Sequence, residues 1–108
     1  MFVVMYEFVV KPGCEEQFLD AWPQVTQGIY LLKGSLGSRL HRNKNGELIA
    51  YAQWPDRATF EEAQVVEMTP EYEAQREKMR DALNIEATRT LYEMEVETDY
   101  LQRRPFAV

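Results

Sequence analysis

Residues 34–55 read GSLGSRLHRNKNGELIAYAQWP, a stretch in which a turn signal separates two strand-like runs. The turn is NKNG, residues 43–46, because a glycine after asparagine supplies the positive φ angle that tight hairpin turns need. The two runs are therefore predicted to pair as an antiparallel β-hairpin. This hairpin also carries the single histidine of the chain, His41, and one of its two tryptophans, Trp54.

The register of this hairpin decides which side chains share a face of the sheet. If Glu47 pairs with Arg42 or Lys44, odd-numbered residues of the first strand share a face with even-numbered residues of the second. His41 would then lie on the same face as Trp54. The other members of that face would be Gly37, Arg39, Leu48, Ala50 and Ala52. A face that combines small residues with an imidazole and an indole leaves space beside polar groups, as a small-molecule pocket does.

The remaining sequence predicts strands and helices on both sides of the hairpin. Residues 2–10 are apolar at every position except Glu7, which predicts a central strand that is buried on one face and largely covered on the other. From residue 14 to residue 33, apolar residues recur at helical spacing. Asp56 and Thr69 are candidate N-caps of two later helices, and Thr69 is followed by a proline suited to a first helical turn. A last strand is predicted over residues 89–99.

The order of these elements is strand, helix, strand, strand, helix pair, strand. The hairpin in the middle and the lack of successive βαβ units favour an α+β fold, with one antiparallel sheet and helices on one of its faces. At 108 residues the chain is predicted to form a single domain, residues 1–108. The face turned away from the helices would hold too much apolar area for a monomer in water, which predicts a homodimer. The residues on that face would be Val3, Met5, Val9, Ile49, Tyr51 and Leu91.

Composition narrows the possible partners and cofactors. A net charge of -6 disfavours binding to nucleic acid or to an anionic membrane, since both need a positive surface. One cysteine and one histidine are too few for the usual zinc or iron sites, and no glycine-rich loop of the kind that holds a pyrophosphate follows a strand. We therefore expect no metal, flavin or nucleotide cofactor. No apolar run could span a bilayer and the first residues do not resemble a secretion signal, so we expect a cytoplasmic protein.

Motifs spread over nearly the whole chain resemble one protein family. They are KPG at residues 11–13, Trp22 in the first helix, GSLGSRLHR at residues 34–42 and YAQWP at residues 51–55. This combination is similar to the antibiotic biosynthesis monooxygenase domain family. The resemblance implies a ferredoxin-like βαββαβ subunit that forms a dimeric α/β barrel through its sheet. It also implies a range of activities, because some members oxygenate aromatic polyketides without metal or flavin, while others degrade haem or isomerise small molecules.

The hairpin supplies three candidate site residues. His41 is the candidate catalytic base, since an imidazole can accept a proton at neutral pH, although a strand histidine between arginines also fits a partly exposed surface group. Trp54 could stack on a flat aromatic substrate or belong to the core. In relatives that oxygenate polyketides, an asparagine stands four residues before this tryptophan. Here Ala50 takes that place and offers space but no amide.

Three further residues are candidates for substrate binding. Arg39 and Arg89 could each stabilise a developing oxyanion, although arginines on strands often pair with neighbouring carboxylates instead. Tyr6 belongs to a set of aromatic residues expected in the core, but its hydroxyl needs a hydrogen-bond partner if it is buried. Each of these side chains therefore has a structural explanation beside the functional one.

Two functions of different kinds are predicted. The first is a cofactor-independent monooxygenase, or a related enzyme, that acts on a small aromatic compound of the phenol or quinol type. The alternative is a non-catalytic dimeric module that binds a small molecule or is linked to stress. A haem-degrading enzyme is less favoured, because those relatives carry their axial histidine on the later helical segment and residues 56–83 contain none.

Overall fold

The computed structural model describes residues 1–101. Its elements are β1 (Phe2–Phe8), α1 (Glu15–Lys33), β2 (Gly37–Arg42), β3 (Leu48–Trp54), α2 (Arg57–Ala63), α3 (Pro70–Asp81) and β4 (Arg89–Glu95). The four strands form one antiparallel sheet in the order β2-β3-β1-β4. The predicted α+β fold with a ferredoxin-like βαββαβ order is confirmed, with α2 and α3 together in the place of the second helix.

The helix boundaries follow the local signals in the sequence. α1 ends at Gly34, whose φ of 82° is the left-handed conformation that glycine adopts most easily after a helix. Asp56 caps α2, because its Oδ1 accepts a hydrogen bond of 2.7 Å from the backbone N–H of Thr59. Thr69 precedes α3 and Pro70 occupies its first turn. Both later helices therefore begin where the sequence predicted.

All three helices cover the same face of the sheet, which we call the inner face. Phe2 and Val4 of β1 are completely buried there, and Phe18 of α1 is buried with them. One cluster of core residues joins Phe2, Val4 and Trp54 to Ala63, and the second joins Phe18 and Leu48 to Ala82 and Leu83. Most of the core thus lies between the inner face and the helices, and no helix among residues 1–101 covers the other face of the sheet, although Val3 is buried there.

The hairpin has a three-residue loop, and this loop sets the register. The backbone N–H of Asn43 donates a 2.9 Å hydrogen bond to the carbonyl of Glu47, and Gly46 adopts a φ of 83°. The side-chain oxygen of Asn43 accepts hydrogen bonds from the N–H groups of Asn45 and Glu47, at 3.0 and 2.9 Å. This geometry matches a turn followed by a left-handed residue, a common hairpin connection. Residues of like parity therefore pair, and the predicted register is wrong.

The uncovered face, here called the outer face, carries apolar side chains from three strands. The register places Val3, Met5, Ile49, Tyr51, Tyr92 and Met94 on it, together with Arg39 and His41. An irregularity between Met5 and Tyr6 in the pairing with β4 leaves Leu91 without a direct partner.

The last strand is shorter than predicted. β4 ends at Glu95, opposite Phe2, and one more hydrogen bond joins the N–H of Val96 to the carbonyl of Met1 at 2.9 Å. The alternation of apolar and acidic residues continues to residue 98, but β1 begins at Phe2 and offers no further backbone partner. The length of β4 is therefore set by its neighbour and not by its own sequence pattern.

Candidate functional site

A cavity of about 330 Å³ lies between the inner face and the helices. Its walls are mainly apolar and come from β1, β2, β3 and all three helices, with Trp22, Val25 and Phe60 among the larger side chains. Ala50 and Ala52 form part of the sheet wall, and their small side chains leave the volume that larger strand residues would fill. The size and the apolar lining suit a small organic ligand.

Trp54 contributes an unused hydrogen-bond donor to this region. The residue is 5% exposed, lines the cavity and packs edge-on against Phe60, with 5.4 Å between ring centroids. Its indole Nε1 is buried, and no group in residues 1–101 accepts a hydrogen bond from it. A buried donor left without a partner costs about 1–3 kcal/mol. An acceptor oxygen on a ligand would remove this cost.

Tyr6 brings a phenol to the same cavity. It lies on β1, stacks with Phe8 at a centroid distance of 6.1 Å and lines the cavity wall. Burial, and secondly the negative charge of Glu93, raise the pKa of Tyr6 to about 12. The phenol therefore stays protonated at neutral pH, where it can donate a hydrogen bond but cannot act as a base.

Three basic side chains also line the cavity: Lys33, Arg76 and Arg80. Lys33 is on the last turn of α1, and the two arginines are one turn apart on α3. Burial, and secondly the positive charge of Arg76, lower the pKa of Lys33, while the charge of Glu73 acts in the opposite direction. None of these three residues was predicted as a site residue from the sequence. The available signal was spacing, since Lys33 follows Ile29 by four residues and so lies on the same side of α1.

The six residues predicted from sequence divide into two groups. Trp54, Ala50 and Tyr6 line the cavity, whereas Arg39, His41 and Arg89 do not. The placement of His41 beside Trp54 is therefore wrong, and the reason is the three-residue loop described above. Each of the three excluded side chains lies on the outer face.

Of the residues that lie outside the cavity, His41 and Arg89 contact neighbouring strands of the sheet. His41 is exposed on the outer face, and its Nδ1 lies 3.3 Å from the carbonyl oxygen of Ile49, its cross-strand neighbour. Arg89 donates from Nε to Oε1 of Glu7 at 3.2 Å, which is the carboxylate pairing considered above as its structural explanation. The general-base role of His41 therefore has no support from the cavity of this chain.

Across residues 1–101, no group of three or more histidine, cysteine, aspartate or glutamate side chains is arranged to hold a metal ion. None of the helices described here combines the length and the apolar character needed to cross a bilayer.

Solved structures of other proteins share the fold. SnoaB, a cofactor-independent oxygenase from Streptomyces nogalater, is 15% identical, with a TM-score of 0.67 over 94% of this chain and 97% of its own. Rv0793 from Mycobacterium tuberculosis is 16% identical, with a TM-score of 0.63 over 90% of this chain and 98% of its own. At these identities the likeness establishes a common fold only.

Sequence comparison gives the family. No curated protein matches the sequence significantly. The model of the antibiotic biosynthesis monooxygenase family matches residues 1–78, which include the inner-face strands β1 and β3, the hairpin and the first two helices. This match covers well over half of the chain, and the fold and the cavity agree with it. The chain therefore belongs to the antibiotic biosynthesis monooxygenase family.

Proposed function

We propose that this protein is a cytoplasmic, cofactor-independent monooxygenase that acts on a small aromatic phenol or quinol. The observation that carries the proposal is the buried Nε1 of Trp54, a hydrogen-bond donor without a partner among residues 1–101, on a side chain that lines an apolar cavity. Such a donor stabilises an oxygen atom on which negative charge develops. The family supports an oxygenase, and SnoaB, which shares the fold, is a cofactor-independent oxygenase.

Without a cofactor, the substrate itself must supply electrons to dioxygen. In a quinol-type substrate that has an anthrone form, the CH₂ group opposite the carbonyl in the central ring loses a proton to solvent and gives an enolate, whose negative charge is shared with the carbonyl oxygen. The enolate transfers one electron to O₂, and the two radicals combine to form a carbon–oxygen bond in a peroxide. After protonation, the O–O bond breaks with loss of water and leaves a carbonyl group. One CH₂ group and one O₂ molecule thus become one C=O group and one water molecule.

The cavity residues would act by positioning and stabilisation. Trp54 would donate from Nε1 to the enolate oxygen, and this interaction strengthens as the negative charge grows. Tyr6 would remain protonated and offer a second donor. The apolar walls would keep water away from the carbanion and the peroxide. The proposal assigns no step to His41, because that side chain is outside the cavity.

The direct test is oxygen uptake by the purified protein with a panel of hydroquinones and anthrones, without added metal, flavin or haem. We expect one O₂ consumed per molecule of product, and a loss of roughly 10- to 1,000-fold in kcat/KM for Trp54→Phe, which keeps an aromatic ring but removes the donor. Thermal unfolding of the variant controls for damage to the core. Binding of panel members without oxygen uptake would instead favour the non-catalytic binding module.

The proposal includes a homodimer formed through the outer face. Tyr92 is 59% exposed and Met94 is 39% exposed on this face, beside the apolar side chains of Met5 and Ile49. No helix of the described chain covers them. Burial of apolar area contributes about 25 cal/mol per Å², so a second copy packed sheet against sheet would be strongly stabilised.

A further inference from the structure

The cavity carries charge of the opposite sign to the chain as a whole. The sequence has 18 acidic and 12 basic residues. The part of the cavity wall formed by the described residues nevertheless contains three basic side chains, Lys33, Arg76 and Arg80, and no carboxylate. Cations beside an apolar space lose part of their hydration, and an anionic group on a ligand compensates for that loss.

These cations are brought together by two helices that pack against each other. Lys33 follows Val25 and Ile29 at intervals of four residues along α1, and all three line the cavity. Arg76 and Arg80 are likewise four residues apart and face the cavity from α3. The three basic residues therefore line one space from two helices.

Acidic neighbours neutralise this group only in part. Arg76 has an ion pair with Glu73 at 3.8 Å, and both side chains are about two-fifths exposed, so the pair is weak. Within residues 1–101, Lys33 and Arg80 have no ion pair. The charge of Arg76 also acts unfavourably on the ammonium of Lys33. A carboxylate between them would replace this repulsion with attraction.

We propose that the ligand of this cavity is an aromatic carboxylate, whose rings occupy the apolar space and whose carboxylate contacts Lys33, Arg76 and Arg80. The inference rests on the proposed function for the location of the binding site. It adds that the ligand carries a negative charge. A carboxylate fits because the planar guanidinium group matches it with two parallel hydrogen bonds. The cavity has a volume of about 330 Å³ and mainly apolar walls, so the rest of the ligand can be apolar.

The test compares two probes that differ in charge and little in shape, 2-naphthoate and 2-naphthamide. Isothermal titration calorimetry on the full chain should show that the carboxylate binds roughly 10- to 100-fold more tightly than the amide, as expected for charge-assisted hydrogen bonds. The preference should shrink as salt is added, because partly exposed charges are screened.

Single substitutions then locate the anion. Lys33→Met and Arg76→Gln should each weaken binding of 2-naphthoate by about 5- to 50-fold and leave the affinity for 2-naphthamide nearly unchanged. Lys44→Met is the matched control, because Lys44 is exposed in the hairpin loop and does not line the cavity. Thermal unfolding shows whether each variant is folded, and Arg80→Gln serves as a second arginine variant if Arg76→Gln is unstable.

The outcomes separate this inference from the proposed oxygenation. A carboxylate preference that depends on Lys33 supports the inference even if no panel compound consumes oxygen. Equal affinity for the two probes, or no binding of either, overturns it even if neutral quinols are oxygenated. An equal loss of 2-naphthoate binding in Lys44→Met would also overturn it, because the effect would then reflect net charge and not this site.

Discussion

His41 pairs with Ile49 across the β2–β3 hairpin, and this pairing turns the imidazole away from the cavity. Its Nδ1 lies 3.3 Å from the carbonyl oxygen of Ile49, and the side chain is exposed on the outer face. Trp54 lies on the inner face with its buried Nε1. The only histidine of the chain and the indole donor are therefore separated by the thickness of the sheet.

This separation predicts that His41 is dispensable for turnover. His41→Ala should keep kcat/KM within about threefold of the unchanged protein, whereas loss of a true general base lowers rates by roughly 10²- to 10⁴-fold. The measurement is oxygen uptake with the best compound of the quinol and anthrone panel. A decrease of two orders of magnitude in a folded His41→Ala protein would contradict the placement of the chemistry in the cavity of a single chain.

The outer face predicts how the dimer can be broken. Met5→Glu places a charge between Tyr51 and Tyr92 on that face and should shift the protein toward the monomer, because a buried unpaired charge is strongly unfavourable. Light scattering at micromolar concentration should return twice the chain mass for the unchanged protein and a lower mass for the variant.

Val65→Glu is the control for this experiment. Val65 is 83% exposed and follows α2 on the helical side of the molecule, so the same change in charge there should leave the mass unchanged. A monomeric unchanged protein, or dissociation of both variants, would count against an interface on the outer face.

The contact between α1 and α3 depends on a glycine. A Cβ atom on Gly28 would lie 2.7 Å from Cγ of Tyr72 and 3.0 Å from the sulfur of Met68. Gly28→Ala gains about 1 kcal/mol of helix propensity, but overpacking at a ring atom close to the backbone costs about 1–3 kcal/mol. We expect a net loss of stability in urea unfolding, while Gln27→Ala, at the exposed neighbouring position, should be neutral or stabilising. Equal or higher stability of Gly28→Ala would show that Tyr72 moves aside.

Much of the fold could be predicted because its signals are local. Asp56 and Pro70 identify helix starts, and the nearly continuous apolar run of β1 identifies a central strand. Predicting which side chains line the cavity requires the hairpin register. The turn motif alone does not determine this register, because NKNG is compatible with loops of different length. The side chain of Asn43, which accepts two backbone hydrogen bonds, selects the three-residue loop. A shift by one residue moves every side chain to the other face.

The basic side chains that line the cavity could not be predicted from the sequence for a different reason. α3 reads PEYEAQREKMRD, and its apolar residues Tyr72 and Met79 form only a narrow stripe, so the sequence does not show that the neighbouring arginines reach a cavity. Its orientation follows from the close approach of Tyr72 to Gly28 of α1, a contact between residues far apart in the sequence. Lys33 was the one member of the group that helical spacing could have placed.

The partly buried phenol of Tyr6 predicts a loss of stability at high pH. Its pKa is raised to about 12 in the folded protein from the usual value of 10.0, chiefly by burial and secondly by Glu93. A raised pKa means that the contribution is fully present below pH 10 and is lost as the pH rises toward 12, because the unfolded chain ionises first. At pH 11 the free energy of unfolding should be lower by about 1 kcal/mol from this group alone.

Tyr6→Phe isolates that contribution. Urea unfolding at a fixed protein concentration between pH 8 and pH 11 should show a smaller decrease in stability for Tyr6→Phe than for the unchanged protein, with a difference of about 1 kcal/mol at the upper end. Tyr30→Phe removes a phenol that is 54% exposed, and it should retain the full decrease. Parallel curves for Tyr6→Phe and the unchanged protein would mean that the Tyr6 hydroxyl reaches water, and the cavity wall would then be open at β1.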